Sequence, residues 1–174
     1  TSLLRTRMIF ITGGAGFIGG NFVLDWLAQS NEPVINLDKL KPGVTTMVQT
    51  REIMGTPEME WRDADGSTTW EYPRTPEGIV NYMLDFGPNE RLREVRQVLT
   101  EANFSRVKEG MTREEIRRLL GQPASEQYYV LKKEYVWDWK TKSESGYDHF
   151  FDVYFDERGQ VLRTGAHMRA TSGN

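Results

Sequence analysis

The chain has 174 residues, of which 38% are hydrophobic and 27% charged, with a formal net charge of −3. That is the composition of a folded globular protein, without the basic field that recruits nucleic acid. With no cysteine there is no disulfide framework, thiolate metal site or thiol nucleophile, and no apolar run approaches the roughly 18 residues of a membrane-spanning helix.

Arg5 and Arg7 precede an apolar run at residues 8–11, but the segment from Thr12 to Gly16 interrupts it too soon for a signal peptide. Residues 8–38 are predicted to run strand, turn, helix, strand. Gly13, Gly16 and Gly19, three residues apart, suit close approach of backbone N–H groups to a pyrophosphate. Asp38, predicted to end the second strand, stands where an acid holds an adenosine ribose.

Residues 40–57 then anticipate residues 107–123. Gly43 matches Gly110, Thr45 or Thr46 matches Thr112, Gly55 matches Gly121 and Pro57 matches Pro123, with one extra residue expected in the first copy's helix. In the second copy Thr112 and Glu115 form a capping box, and Met111 with Ile116 the apolar staple. Glu114, Glu115, Arg117 and Arg118 complement the helix dipole, and Gly121 is placed for a left-handed cap. Thr46 with Gln49 makes the weaker box of the first copy.

After each helix the signals are mainly for strands. The first unit is predicted to hold a hairpin with a type I′ turn at Asp65-Gly66, then strands over 80–86 and 92–98 joined through Gly87-Pro88-Asn89. A helical turn capped by Thr100 ends at Phe104. The second unit is predicted to hold one strand over 128–139, another over 149–155, and a turn at Glu157-Arg158-Gly159. Further matches of Trp70 and Tyr72 with Trp137 and Trp139 make the repeat about 65 residues long, which is a domain-sized duplication.

His149 and His167 have no suitably spaced acid nearby and read as solvated or strand-face residues. Asp63, Asp65 and Gly66 begin like a calcium loop, but its later oxygen ligands do not follow. Tyr129 and Lys133 satisfy the Tyr-x-x-x-Lys spacing of dehydrogenases, as do Tyr128 and Lys132, but in a stretch that reads as strand. No catalytic or metal-binding residue is therefore expected. About two thirds of the aromatic residues are assigned to cores; Trp61, Trp70, Tyr72, Trp137 and Trp139 are candidates for a protein-binding patch.

Two resemblances add to this reading. Residues 8–40 (ITGGAGFIGGNFVLDWL and VINLDKL) resemble the N-terminus of extended short-chain dehydrogenases, most closely dTDP-glucose 4,6-dehydratases. That resemblance implies NAD held by Gly13, Gly16, Phe17, Ile18, Gly19 and Asp38, although a complete nucleotide fold needs further parallel strands. Residues 41–165 (for example FSRVKEGMTREEIRRLLGQP and the WDW strand) are similar to tandem SmpA/OmlA, or BamE-like, outer-membrane assembly lipoproteins. This implies a non-enzymatic bacterial envelope protein, with protein partners among outer-membrane assembly components and no required cofactor. Signal peptide and lipidated cysteine, usual in that family, are not expected in these residues.

The expected fold class is α+β: two tandem units of short helices packed on an antiparallel sheet, preceded by a partial Rossmann-like βαβ segment. The expected domains are 1–39, 40–99 and 100–165, with 166–174 as a tail. The alternative to a binding protein is an NAD-dependent nucleotide-sugar dehydratase or epimerase relative. Tandem units of this size are also similar in outline to β-lactamase inhibitor proteins.

Overall fold

The computed structural model describes residues 9–11, 34–76 and 78–171, with side chains from residue 37 onward. Among them 46% are in strands and 17% in helices. Strands β1 (Ile9–Ile11) and β2 (Val34–Asn36) pair in parallel. Strands β3 (Met59–Arg62), β4 (Thr68–Pro73), β5 (Asn81–Phe86) and β6 (Leu92–Gln97) form one four-stranded sheet in that order. Strands β7 (Ser125–Tyr129), β8 (Glu134–Glu144), β9 (Tyr147–Phe155) and β10 (Val161–Ala170) form a second, antiparallel throughout, in the order β10-β9-β8-β7. The helices among the described residues are α1 (Met47–Met54), α2 (Glu101–Phe104) and α3 (Arg113–Leu120).

This corrects the expected α+β class. The described residues are mostly antiparallel sheet, and the three short helices among them do not make a layer. The strand signal was underread: the predicted single strand over 128–139 is a hairpin, because the chain reverses between Tyr129 and Glu134 and Lys133 takes a φ of 54°. Nor do the described residues form a Rossmann-like βαβ. A doubly wound sheet needs further parallel strands to cover both faces, and the strands after β2 belong to the two four-stranded sheets. Gly13, Gly16, Phe17, Ile18 and Gly19 lie outside the described residues.

Three local expectations also change. Asp38 does not end β2; it lies within a 3-10 turn, Leu37–Lys39, and is exposed. The β3–β4 turn is not type I′, since Gly66 has a φ of 83° while Asp65 does not have a positive φ. Instead, the Asp65 carboxylate accepts from the Ser67 N–H at 2.9 Å and closes a longer loop. The extra residue of the first repeat is not in its helix, because α1 and α3 each have eight residues. It is in the preceding loop, where the Thr45 hydroxyl accepts from the Lys41 N–H at 2.9 Å.

The chain divides into two compact units, Thr1–Trp70 with Leu84–Val95, and Glu71–Met83 with Arg96–Asn174. In the first, Thr46 and Gln49 form the capping box of α1. The Gly43 N–H donates to Leu92 O (2.7 Å) and the Leu92 N–H donates to Thr45 O (2.8 Å). In the second, Thr112 and Glu115 cap α3. There the Gly110 N–H donates to Val161 O and the Val161 N–H to Met111 O, both at 2.8 Å. A strand end thus fixes the entry to each helix.

The core of the second unit joins Phe104, Ile116 and Leu120 from α2 and α3 to Trp137, Trp139, Val153, Phe155 and Val161 from the sheet. Its most densely bonded point is the exit of α3, where helix geometry leaves carbonyls without partners. Asn81 Nδ2 donates to Leu120 O (2.9 Å) and Gln122 O (3.0 Å), and Trp139 Nε1 donates to Gly121 O (3.0 Å). Glu71, wholly buried, accepts from Arg117 Nε and Nη2 at 2.9–3.2 Å and from the Gln122 N–H. Gly121 has a positive φ as expected, but ψ is −166°, an extended region essentially restricted to glycine rather than the left-handed helical one.

Gly55 after α1 has nearly the same dihedrals, φ 78° and ψ −167°, but open space around it. A Cβ on Gly121 would meet Asn81 Nδ2 at 2.7 Å and Glu71 Oε1 at 2.9 Å. Gly55→Ala is therefore expected to cost strain alone, about 1–3 kcal/mol. Gly121→Ala is expected to cost roughly 2 kcal/mol more, the scale of a buried polar group losing its partner. Urea unfolding of the two variants measures the difference.

Candidate functional site

Alternation along the strands sets two different faces on the second sheet. Trp137, Trp139, Val153 and Phe155 enter the core, so Asp138 and Asp152 stand on the opposite face, directly opposite one another in register. The row continues to Ser125 on β7 and Gly165 on β10. Both aspartates are buried, 3% and 2% exposed. The Ser125 hydroxyl donates to Asp138 Oδ2, whereas Asp138 Oδ1 is buried with no hydrogen-bond partner among the described residues. His167 Nδ1 lies 2.9 Å from both Asp152 oxygens, and its ring stacks on Phe150 at 4.7 Å.

Burial raises the Asp152 pKa above the ordinary 3.8, opposed by the hydrogen bond and charge of His167 and reinforced by the charge of Asp138. The row resembles a catalytic arrangement in residue types alone. The Ser125 hydroxyl donates to Asp138 and not to His167, so the imidazole is not placed to take its proton. No group of three or more His, Cys, Asp or Glu side chains among the described residues is arranged to hold a metal. Within the row, burial favours the protonated form of Asp152.

The pairing of His167 with Asp152 corrects the expectation that neither histidine has an acid nearby. They are 15 residues apart and meet only through the β9–β10 register. The alternation Trp-Asp-Trp at 137–139 was the available signal; it placed Asp138 off the core face without revealing that the second face is also covered.

A concave feature lies in the first unit. A groove of about 750 Å³ is bounded by Met47, Val48, Arg51 and Glu52 of α1, by β3 and Trp70, and by the β5–β6 turn at Gly87, Pro88 and Glu90. The Arg51 guanidinium lies 4.8 Å from the Trp70 ring centre and 2.6 Å from Glu60. Trp70 Nε1 is buried with no partner among the described residues.

The five aromatic residues expected to form a binding patch, Trp61, Trp70, Tyr72, Trp137 and Trp139, are all buried. Trp70 packs on Phe86 and lines the groove, and Trp137 packs edge-on to Trp139 and Phe155. A run of four consecutive exposed aromatic and aliphatic side chains lies instead at the β7–β8 turn: Tyr128, Tyr129, Val130 and Leu131. The Tyr-x-x-x-Lys spacing falls across this turn, with Tyr129 ending β7 and Lys133 just before β8, not on a helix.

With this geometry in view, comparison with known proteins decides one segment. Residues 97–165 match the outer membrane protein assembly factor BamE domain. The BamE-like segment holds α2, α3, β7, β8, β9 and the start of β10. No curated protein matches the chain. Among solved structures, one described as a β-lactamase inhibitor protein from Streptococcus mutans aligns at 15% identity, covering 75% of this chain and 92% of that one, with a TM-score of 0.31. A DUF4309 family protein from Bacillus subtilis aligns at 14% identity over 76% and 82%, with a TM-score of 0.29.

A carboxylate whose pKa is raised on folding adds stability fully below its ordinary value and loses it as pH rises through the folded one. Asp138→Asn removes a charge facing Asp152, and its amide oxygen still accepts from Ser125. The variant is expected to gain about 0.5 kcal/mol at pH 7, the scale of a like-charge cross-strand pair. The gain should shrink as pH falls and Asp152, whose pKa is raised, takes up its proton, in thermal unfolding followed from pH 7 downward.

Proposed function

We propose that this chain is a non-enzymatic binding protein of the bacterial cell envelope, acting with outer-membrane assembly components and built from two BamE-like units. The observation that carries the reading is the BamE match over residues 97–165. Its extension to the first half is supported by the recurrence of one construction: glycine, capping box, eight-residue helix and glycine at positive φ, tied to a strand by the same backbone pair. A binding role is further supported by polar groups already engaged in holding structure. Glu71, Arg117, Asp152 and His167 are spent on one another.

Affinity purification of the tagged chain from detergent-solubilised proteobacterial envelopes tests this reading. Outer-membrane assembly proteins are expected to be enriched at least about tenfold over a Gly121→Ala control, since a residue of the folded core governs the whole surface. Equal recovery of those proteins with both chains would remove the assembly role.

A further inference from the structure

We propose that the β7–β8 hairpin tip of one copy docks into the groove beside α1 of a second copy, making a head-to-tail association of the chain with itself. This goes beyond the assembly reading and does not depend on it.

The tip is built unlike the rest of the surface. Val130 is 71% exposed and Leu131 is 100% exposed, with half-exposed Tyr128 and Tyr129 before them. Four consecutive exposed apolar side chains are a liability unless something covers them. The stem is held in place: Tyr128 packs on Tyr135 with ring centres 4.5 Å apart, and its hydroxyl donates to Glu157 at 3.3 Å. A preorganised tip loses little freedom on binding. Lys132 and Lys133 come next, both exposed. The neighbouring acid Glu134 is occupied by Arg163, at 2.7 and 2.8 Å.

The groove offers the complement. Its walls carry Met47, Pro88 and Val48, the last 66% exposed, together with the edge of the largely buried Trp70. The volume of about 750 Å³ lies in the range that encloses a small ligand, room for the Val130 and Leu131 side chains with one tyrosine. Arg51 is taken up by Glu60 and Trp70, which leaves Glu52 and Glu90 to face the two lysines against Arg62 alone. Apolar apex meets apolar wall, and cation meets acid. Tip and groove are different surfaces, so each contact is heterologous, the tip of one copy against the groove of another.

Sedimentation velocity of the whole chain over increasing concentration tests this. The wild-type protein is expected to self-associate, more weakly as salt rises. Leu131→Ser, at a fully exposed position, and Glu90→Lys, at the groove rim, should each weaken self-association at least about tenfold, while Met168→Ser, exposed elsewhere, should not. The deciding sample is an equimolar mixture of Leu131→Ser and Glu90→Lys. It retains one intact tip and one intact groove and is expected to form a 1:1 complex that neither variant forms alone. A wild-type chain that stays monomeric, a mixture that stays monomeric, or association untouched by Leu131→Ser each overturns the proposal, including the cases in which the tip enters a membrane or a different protein.

Discussion

The second unit depends on how one helix is allowed to end. A helix leaves its last carbonyls unpaired, and burying them without donors costs as much as the contacts around them supply. Here Asn81, Trp139 and Thr75 donate to the carbonyls of residues 120–122. Glu71 draws in Arg117 and the Gln122 N–H. Because these donors sit on strands and on the loop after β4, the direction of α3 is set by the strands around it. Ile116 and Leu120 then face Trp139 and Val153 in one core. A buried carboxylate is expensive unless paired and hydrogen-bonded, and Glu71 is both.

The two capped helices show how one local construction is used at different depths. Arg51 and Arg117 are each the fifth residue of their helix. Arg117 makes a bidentate contact to a carboxylate with no exposure, whereas Arg51 pairs with Glu60 where both side chains are 46% exposed. An exposed pair of that kind is worth little. At the first helical position the same contrast recurs. Arg113 lays its guanidinium over Tyr135 at 4.1 Å, while Met47 leaves an open groove. The second unit is filled by its own cation, and the first is not.

What could be read from the sequence was local. Thr112 with Glu115, Thr46 with Gln49, and glycine at 55 and 121 were legible because capping is decided within four residues. The turn of helix after Thr100 and strands β5 and β6 were legible for the same reason. Glu71 and Arg117 are 46 residues apart, Asn81 and Leu120 39 apart, and no periodicity links them. Asp138, Asp152 and His167 were missed because a cross-strand row appears only once register is known. The class was misjudged where YYVLKK looked like continuous strand; the reversal needed Lys133 in a conformation that side chains rarely adopt.

The boundary of the BamE match has a practical meaning when set beside the exit of α3. The match begins at residue 97, yet Glu71, Thr75 and Asn81, which hold that exit, all precede it. A fragment cut to the homologous segment would carry Arg117 without its carboxylate and Leu120 and Gln122 without their donors. The stretch that evolution copies as a recognisable sequence and the stretch that folds as a satisfied body are different lengths of chain, and the second reaches back to the middle of β4.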